Sequence, residues 1–400
     1  MSPTKLACWS LALFLVVGRW SFARLAGGEG EQFVLEPRVW LIVMLCGLAF
    51  APIAMPSAGL SPRQRNAGIA LLGFVGYLML TVAWAPDLTL AWNKSMELAL
   101  VAMALLAMIR LMPVLPARAL ADGMWRALVV VFAIFAVFAM LGTSDGSTRI
   151  AVLGGGPNVF GRNMALLALF CVDALLRGRA RALPIVGLGV AALLVLLSGS
   201  RGAMLASTIG TLVLLWVHRV RPSKLLWLAL GGAVLVTLVV IFTQVGQHAL
   251  AMFNERVIKL TFEQEYDSGR STLHDQAMAV GWSAPIYGDG LGGFSTHGTF
   301  DYPHNIVLEA WSEAGLVGVV LLAAAMALPL HTLLRRRGSH HALEIAAFAA
   351  LLASAQFSGD FFDSRGVMLF GLLAVLQDTG SSVRSRFGTP RWTTWPQRST

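Results

Sequence analysis

Three side chains in otherwise apolar surroundings have the types needed for group transfer. Arg201 lies in the segment LLSGSRGAML, where only a few residues separate two apolar stretches. Arg270 lies in YDSGRSTLHDQAM, and His304 lies in DYPHN, directly before another apolar stretch. A guanidinium presents fixed N–H donors to a phosphate, and an imidazole can accept a proton near neutral pH. These residue types predict a site that binds an anionic group and removes a proton.

Each arginine also has a purely structural interpretation. Arg201 could extend its side chain to lipid headgroups. Gly199 and Gly202 beside it favour a functional role, because residues without side chains let a ligand come close. Arg270 could pair with the acidic residues three and five positions away. The arginines therefore remain candidates until a second feature supports them.

The position of His304 in the chain favours it over the other histidines of its connection. Pro303 stiffens the backbone before it, Asn305 follows it, and Glu309 and Glu313 come next at helical spacing. A lone histidine is often structural, and three others share the connection: His248, His274 and His297.

The elements that must position these residues are membrane helices. The chain is 56% hydrophobic and 13% charged, whereas about a quarter of the residues in a soluble domain are charged. Continuous apolar stretches of spanning length predict an all-α polytopic protein of about twelve transmembrane helices, not an alternating barrel pattern. The stretches lie at about 5–23, 37–55, 66–85, 92–112, 120–141, 162–176, 183–198, 201–217, 224–243, 305–333, 342–358 and 365–378.

The distribution of basic residues predicts the orientation. Lys and Arg concentrate in alternate connections and at both ends, which the positive-inside rule assigns to the cytoplasm. Nine helices (1–243), a long extracytoplasmic connection (244–304), three helices (305–378) and a cytoplasmic tail (379–400) follow from this. The net charge of +9 fits cytoplasmic loops and anionic lipids, so we expect membrane lipids and no nucleic acid as partners.

The connection 244–304 is too long to be a plain link between helices. Apolar residues of the segment beginning at His248 share one helical face, which predicts a helix at the membrane interface. A second short helix is predicted from about Ser271 to Trp282, followed by the glycine-rich turn GDGLGGF at 288–294.

Common catalytic motifs are missing from the sequence. It contains no GxxxxGK[ST], HExxH or DxD-type pair, so we expect no cofactor and no metal. Asp360, Asp363 and Arg365 are predicted to form a small ion-pair cluster.

Three stretches, in this order, resemble the bacterial O-antigen ligase family within the larger group of O-antigen ligases and polymerases. RIAVLGGGPNVFGRNMA (149–165) is similar to the family's arginine and Gly-x-Pro-Asn entry to a helix. LSGSRGAML (197–205) resembles its Ser-Arg-Gly signature. GDGLGGF and YPHNIVLEAWSEAGLVG resemble its glycine-rich turn, His-Asn pair and downstream Glu and Gly. The resemblance covers most of residues 66–378.

The resemblance implies a GT-C-type glycosyltransferase that works without metal. Its donor would be O-antigen on undecaprenyl diphosphate, and its acceptor a sugar hydroxyl of lipid A–core oligosaccharide. The reaction would take place at the periplasmic face of the bacterial inner membrane. A donor already activated by a diphosphate needs no nucleotide site, in agreement with the missing motifs.

The implied mechanism is a single inverting displacement. His304 would take the acceptor proton, or else orient the phosphate, while Arg201 and Arg270 hold the diphosphate. Three further residues are candidates for substrate binding: Arg149, Asn158 and Asn305.

Three other functions remain open. An O-antigen polymerase would use the same donor, and a protein O-oligosaccharyltransferase would transfer the glycan to Ser or Thr. The latter usually carries an extra C-terminal region, which favours the ligase. A transporter of lipid-linked glycan would be expected to show internal repeats, and none is visible in the sequence.

Overall fold

The regular elements in the part of the chain that the computed structural model describes are helices. Described are residues 2–17, 36–51, 59–115, 117–141, 149–150, 152, 156–178, 182–221, 223, 241–255, 258–259, 269–335 and 341–375. The helices are α1 (Pro3–Val16), α2 (Pro37–Phe50), α3 (Pro62–Leu80), α4 (Leu88–Leu111), α5 (Ala117–Met140), α6 (Pro157–Leu176), α7 (Ala182–Leu197), α8 (Arg201–Val217), α9 (Gln244–Phe253), α10 (Arg270–Ser283), α11 (Gly293–His297), α12 (Ile306–Arg335), α13 (Ala342–Ser354) and α14 (Arg365–Ala374). A 3₁₀ helix, Thr81–Trp84, extends α3.

The predicted apolar stretches coincide with helices, except that most of the stretch 224–243 lies outside the described residues. Four described helices are long and apolar enough to cross a membrane: Pro62–Trp84, Ala119–Met140, Pro157–Leu176 and Ile306–Arg335. Six others are apolar but shorter, between 10 and 17 residues. The all-helical class is confirmed, and these lengths fit a polytopic membrane protein.

Several helices begin at local signals in the sequence. Proline occupies the first turn of α1, α2, α3 and α6, where its missing N–H leaves no hydrogen bond unmade. Ser61 and Gln64 form a reciprocal capping box on α3. The carboxylate of Asp87 accepts hydrogen bonds from the backbone N–H groups of Thr89 and Leu90, which starts α4.

The short helices α9, α10 and α11 lie in the long connection. α10 runs from Arg270 to Ser283 and confirms the predicted second helix. The predicted interfacial helix is described only in part, as α9 over Gln244–Phe253; residues 256–257 and 260–268 of that segment lie outside the described residues.

The helix α12 is interrupted at Gly315, which the sequence pattern did not predict. Gly315 has φ 61° and ψ −160°, far from helical values. Before the interruption, the N–H of Asp289 donates to Ser312 O and that of Gly290 donates to Glu313 O, each at 3.0 Å. On the other side, the N–H of Leu316 donates to Pro285 O at 2.9 Å. The glycine-rich segment therefore satisfies backbone groups that the break exposes.

The interruption divides α12 into an outer part, 306–314, and an inner part, 316–335. Twenty helical residues span about 30 Å, the thickness of a bilayer core. The inner part alone is therefore long enough to cross the membrane. The outer part is free to serve as a support for the residues around His304.

We expect Gly288→Ala to destabilise the fold strongly. Gly288 has φ 76°, and a Cβ there would overlap the backbone of Glu313 and Ala314. Strained backbone of this kind costs about 1–3 kcal/mol before the overlap is counted. Thermal unfolding in detergent should show a clear fall in midpoint. Gly73→Ala is the matched control, because nothing lies within 4 Å of its added Cβ; an equal loss in both variants would contradict this reading of Gly288.

Candidate active site

His304 lies at a sharply constrained position where the long connection meets α12. Its φ of 58° is in the left-handed region, which costs a non-glycine residue of order 1 kcal/mol. The side chain of Asn305 accepts hydrogen bonds from the N–H groups of Val307 and Leu308 at 2.9 and 3.0 Å and so caps α12. Its Nδ2 donates to Gln356 O at 3.3 Å. Asn305 thus fixes the backbone beside His304.

The imidazole of His304 lies in an aromatic and partly buried environment. The ring of Tyr302 stands edge-on to it at 4.7 Å between centroids, with Phe300 at 6.5 Å. Its Nδ1 is buried and has no hydrogen-bond partner among the described residues. Burial, followed by the positive charge of Arg270, lowers the pKa of His304 below its ordinary value, against a smaller opposing effect of Asp360. The neutral, proton-accepting form therefore predominates at neutral pH.

Arg270 is brought towards His304 by the packing of α10. It is the first residue of that helix. Leu273 and Ala277 of α10 form a small buried cluster with Phe294, and Leu308 of α12 packs against it. This cluster joins α10 to the outer part of α12, so Arg270 and His304 act on each other electrostatically.

Arg201 begins α8, at a helix end that itself favours anions. Ser200 caps the helix by accepting a hydrogen bond from the N–H of Ala203 at 3.3 Å. The N-terminus of a helix carries partial positive charge, which adds to that of the guanidinium. A Cβ on Gly202 would lie 3.4 Å from the Cβ of Phe357, so the start of α8 packs closely against the segment that follows α13.

Arg149 and Asn158 lie at the same turn as Arg201. Arg149 Nε donates to Ser198 O at 2.9 Å, and its Nη2 donates to Asn158 Oδ1 at 3.1 Å. A Cβ on Gly199, whose φ is 59°, would lie 3.3 Å from Arg149 Nε. Arg149 therefore packs against the connection between α7 and α8 and bonds Asn158.

The candidate residues form two groups that meet at the end of α13. One group contains Arg149, Asn158 and Arg201, and the other contains Arg270, His304 and Asn305. Gln356 O accepts a hydrogen bond from Asn305, and the next residue, Phe357, lies beside Gly202, where an added Cβ would be 3.4 Å from its own Cβ. Ile306 N also donates to Ala355 O at 3.0 Å. The segment 355–357 therefore links the backbone next to Arg201 with that next to His304.

Asp360 and Asp363 lie just beyond this segment. Asp360 is buried, and its Oδ1 accepts a hydrogen bond from the N–H of Asp363 at 2.9 Å. Asp363 Oδ1 lies 3.8 Å from Arg365 Nη1, which confirms the ion pair between these two members of the predicted cluster. Arg365 also donates to the carbonyl oxygens of Phe14, Leu15 and Val17 and so joins α14 to the end of α1.

Lys94 is a charged residue near the site that the sequence interpretation missed. Its Nζ lies 3.0 Å from Glu309 Oε1 and 2.6 Å from Glu313 Oε1. Both glutamate side chains are fully buried, whereas that of Lys94 is 15% exposed. A signal was available, because a lysine within an apolar stretch is a functional candidate by default. The triad joins α4 to the outer part of α12.

Residues 186–323 match the family model described as O-antigen ligase. The match supports the O-antigen ligase family for this segment of the chain. The resemblance stated from the sequence is thereby confirmed. Members of the family are glycosyltransferase-like enzymes of lipopolysaccharide biosynthesis. No protein in the curated collection matches the chain.

The matched segment of the O-antigen ligase family contains most of the candidate site. It includes Arg201, Arg270 and His304, together with the two glutamates of the triad. Lys94 and the pair Arg149 and Asn158 precede it. The contacts described above thus connect the family's segment to helices outside it.

We expect Lys94→Met to destabilise the protein by about 3–5 kcal/mol, because it leaves two buried carboxylates without their partner. Thermal unfolding in detergent measures this. The triple variant Lys94→Met, Glu309→Gln, Glu313→Gln removes all three charges and should recover much of the loss. Arg110→Met, in the last turn of the same helix, is the control. A Lys94→Met protein as stable as this control would contradict a structural triad.

Proposed function

We propose that the protein is an O-antigen ligase. It transfers O-antigen polysaccharide from undecaprenyl diphosphate to a sugar hydroxyl of lipid A–core, at the periplasmic face of the inner membrane. The observation that carries this proposal is the junction at residues 355–357. There the backbone beside Arg201 and that beside His304, both in the family-matched segment 186–323, pack against the same three residues.

The proposed reaction is a single inverting displacement. The acceptor hydroxyl gives its proton to His304 as its oxygen bonds to C1 of the first donor sugar. The bond between C1 and the phosphate oxygen breaks, and undecaprenyl diphosphate leaves with the bonding electrons. Arg201 and Arg270 stabilise the charge that develops on this leaving group, a contribution typically worth about 10²–10³ in rate per donor.

The environment of His304 supports its role as the base. No described residue hydrogen-bonds its Nδ1, so the described protein groups do not compete for that nitrogen. Its lowered pKa keeps it neutral before the reaction. Asn305, by contrast, is proposed to position the backbone, since its described hydrogen bonds cap α12 and bind Gln356.

The proposed membrane arrangement is a GT-C-type bundle of twelve spans with both termini in the cytoplasm. Support comes from the agreement of helices with the predicted stretches and from the alternation of basic connections. The helices of 10–17 residues would cross where the protein interior, rather than lipid, surrounds their ends.

The direct test is complementation of a ligase-deleted bacterium with a matching core. Wild-type protein should restore the O-antigen ladder on a lipopolysaccharide gel. His304→Ala, at equal membrane level, should leave only lipid A–core and accumulate undecaprenyl-linked O-antigen, because no base removes the acceptor proton. His297→Ala is the control, since this exposed histidine of the same connection pairs with Asp289 and lies outside the proposed site.

The remaining outcomes separate the alternatives. A full ladder with His304→Ala overturns the proposed mechanism. If the wild type restores no ladder in ligase-deleted cells but restores chain length in polymerase-deleted cells, the protein is a polymerase. Transfer of glycan to periplasmic proteins would identify a protein O-oligosaccharyltransferase instead.

The pH dependence of the purified enzyme gives a second test of His304. Because burial and Arg270 lower its pKa, the acid limb of kcat/KM should lie below pH 6.5, the ordinary histidine value. Protonation of His304 at lower pH removes the base and the activity. Arg270→Gln removes one cause of the lowered pKa, so its residual activity should show an acid limb at higher pH. An unmoved limb would mean that another group titrates.

A further inference from the structure

A polar space lies where α6 and α8 end. It has a volume of about 440 Å³ and is lined by Leu176 and by residues 218–221, which follow α8. Three of these lining residues carry nitrogen groups able to bind an anion: His218, Arg219 and Arg221. Asn158 and Arg201 of the candidate active site lie at the opposite ends of the same two helices, about 25 Å away along each axis. The space is therefore separate from that site.

The buried carboxylate of Asp173 joins the two helix ends beside this space. Arg177 Nε donates to Asp173 Oδ2 at 2.6 Å, and His218 Nε2 lies 2.8 Å from Asp173 Oδ1. The negative charge of Asp173 is thus already paired. Arg219 and Arg221 are exposed, and no ion pair joins either of them to another described residue. These two guanidinium groups therefore give the space its net positive charge.

The backbone at Arg219 has a conformation that favours glycine. Its φ is 52°, in the left-handed region, and glycine is the usual residue at this position directly after a helix. The N–H of Arg219 donates to Trp216 O at 3.2 Å and that of Val220 to Leu215 O at 3.1 Å, which closes α8. Glycine could close the helix in the same way without strain. Because strained residues concentrate at ligand sites, the arginine side chain points to a function of its own.

The surface next to the space is apolar. Leu212 and Trp216 are exposed and lie one turn apart on α8, and the space begins two residues after Trp216. Tryptophan is enriched where membrane helices meet lipid headgroups, and basic pockets between helices on the cytoplasmic side suit anionic headgroups. In the proposed membrane arrangement, the ends of α6 and α8 face the cytoplasm. The apolar surface and the charged space together fit an amphiphile with an anionic head.

We propose that the space binds the phosphate headgroup of an anionic phospholipid of the cytoplasmic leaflet, whose acyl chains lie along Leu212 and Trp216. Arg219 and Arg221 donate hydrogen bonds to the phosphate oxygens. The bound lipid braces the ends of α6 and α8, the helices that present Asn158 and Arg201 at their other ends. A free phosphate would use the same guanidinium groups without the apolar surface, so the two sources differ in whether an acyl chain is needed.

The test compares two pairs of arginines in the purified protein. Arg219→Gln with Arg221→Gln removes the charge of the space. Arg63→Gln with Arg65→Gln is the matched control, since these exposed arginines have the same spacing, lie on the same predicted membrane face and do not line the space. Thermal unfolding and mass spectrometry of the intact complex in detergent measure the binding of phosphatidylglycerol, phosphatidylcholine and inorganic phosphate. None of these measurements requires glycan transfer, so they are independent of the proposed function.

The wild type should bind phosphatidylglycerol more tightly than phosphatidylcholine. Loss of both arginines of the space should weaken the binding of phosphatidylglycerol about thirtyfold, as expected for two basic residues at an anionic surface, whereas the control pair should change it little. Equal weakening in both pairs, or equal binding of the two lipids by the wild type, would overturn the proposal. Inorganic phosphate that protects as well as phosphatidylglycerol would also overturn it, because the ligand would then be a free anion.

Arg219→Gly separates lipid binding from a role in the fold. Glycine adopts a φ near 52° without strain, so the unfolding midpoint without added lipid should be no lower than that of the wild type. The stabilisation by phosphatidylglycerol should nevertheless fall. An unchanged response to the lipid would show that Arg219 does not hold the headgroup. A lower midpoint without lipid would show that the side chain serves the fold instead, which also contradicts the proposal.

Discussion

The structure around the candidate site depends on the pairing of buried charge. Lys94 Nζ is the only described ion-pair partner of the fully buried carboxylates of Glu309 and Glu313. An unpaired charge in this environment costs several kcal/mol, so α4 and the outer part of α12 are held together. His304 lies directly before that part of α12. Its position therefore depends in part on an electrostatic requirement several residues away.

The glycine-rich segment meets a second requirement, that every buried backbone group find a partner. A helix interrupted at Gly315 exposes carbonyl and N–H groups on both sides, and residues 285–290 supply the complementary ones. Gly288 and Gly290 have positive φ, and added side chains there would overlap neighbouring backbone. Trp84 Nε1 donates to Gly288 O at 3.2 Å, which joins the end of α3 to the same segment. These glycines thus permit backbone contact rather than substrate contact.

The sequence predicted the helices and the principal candidates but not the contacts between them. Long apolar stretches predict where helices lie, because backbone N–H and C=O groups in lipid must hydrogen-bond within their own segment. Arg201 and His304 stood out because charged and titratable residues are rare in such surroundings. The break at Gly315 arises from backbone geometry. The role of Lys94 arises from contact between segments more than two hundred residues apart in the chain. Neither feature leaves a periodic signal in the sequence. Asn305 illustrates the same limit: its side chain caps a helix and binds Gln356, although the sequence analysis made it a candidate for substrate binding.

The two halves of the site make different physical demands, and the fold meets them with different elements. In the proposed reaction, the diphosphate needs cationic donors on rigid helix starts, and Arg201 and Arg270 are the first residues of α8 and α10. The proposed base must be a neutral imidazole, which depends on burial and on the strained backbone at His304. Strain at such a residue persists only where the surroundings over-determine it. Three features supply that constraint: the cap at Asn305, the hydrogen bond from Ile306 to Ala355 and the Lys94 triad. The position of His304 is therefore maintained by α4, α12 and α13 together.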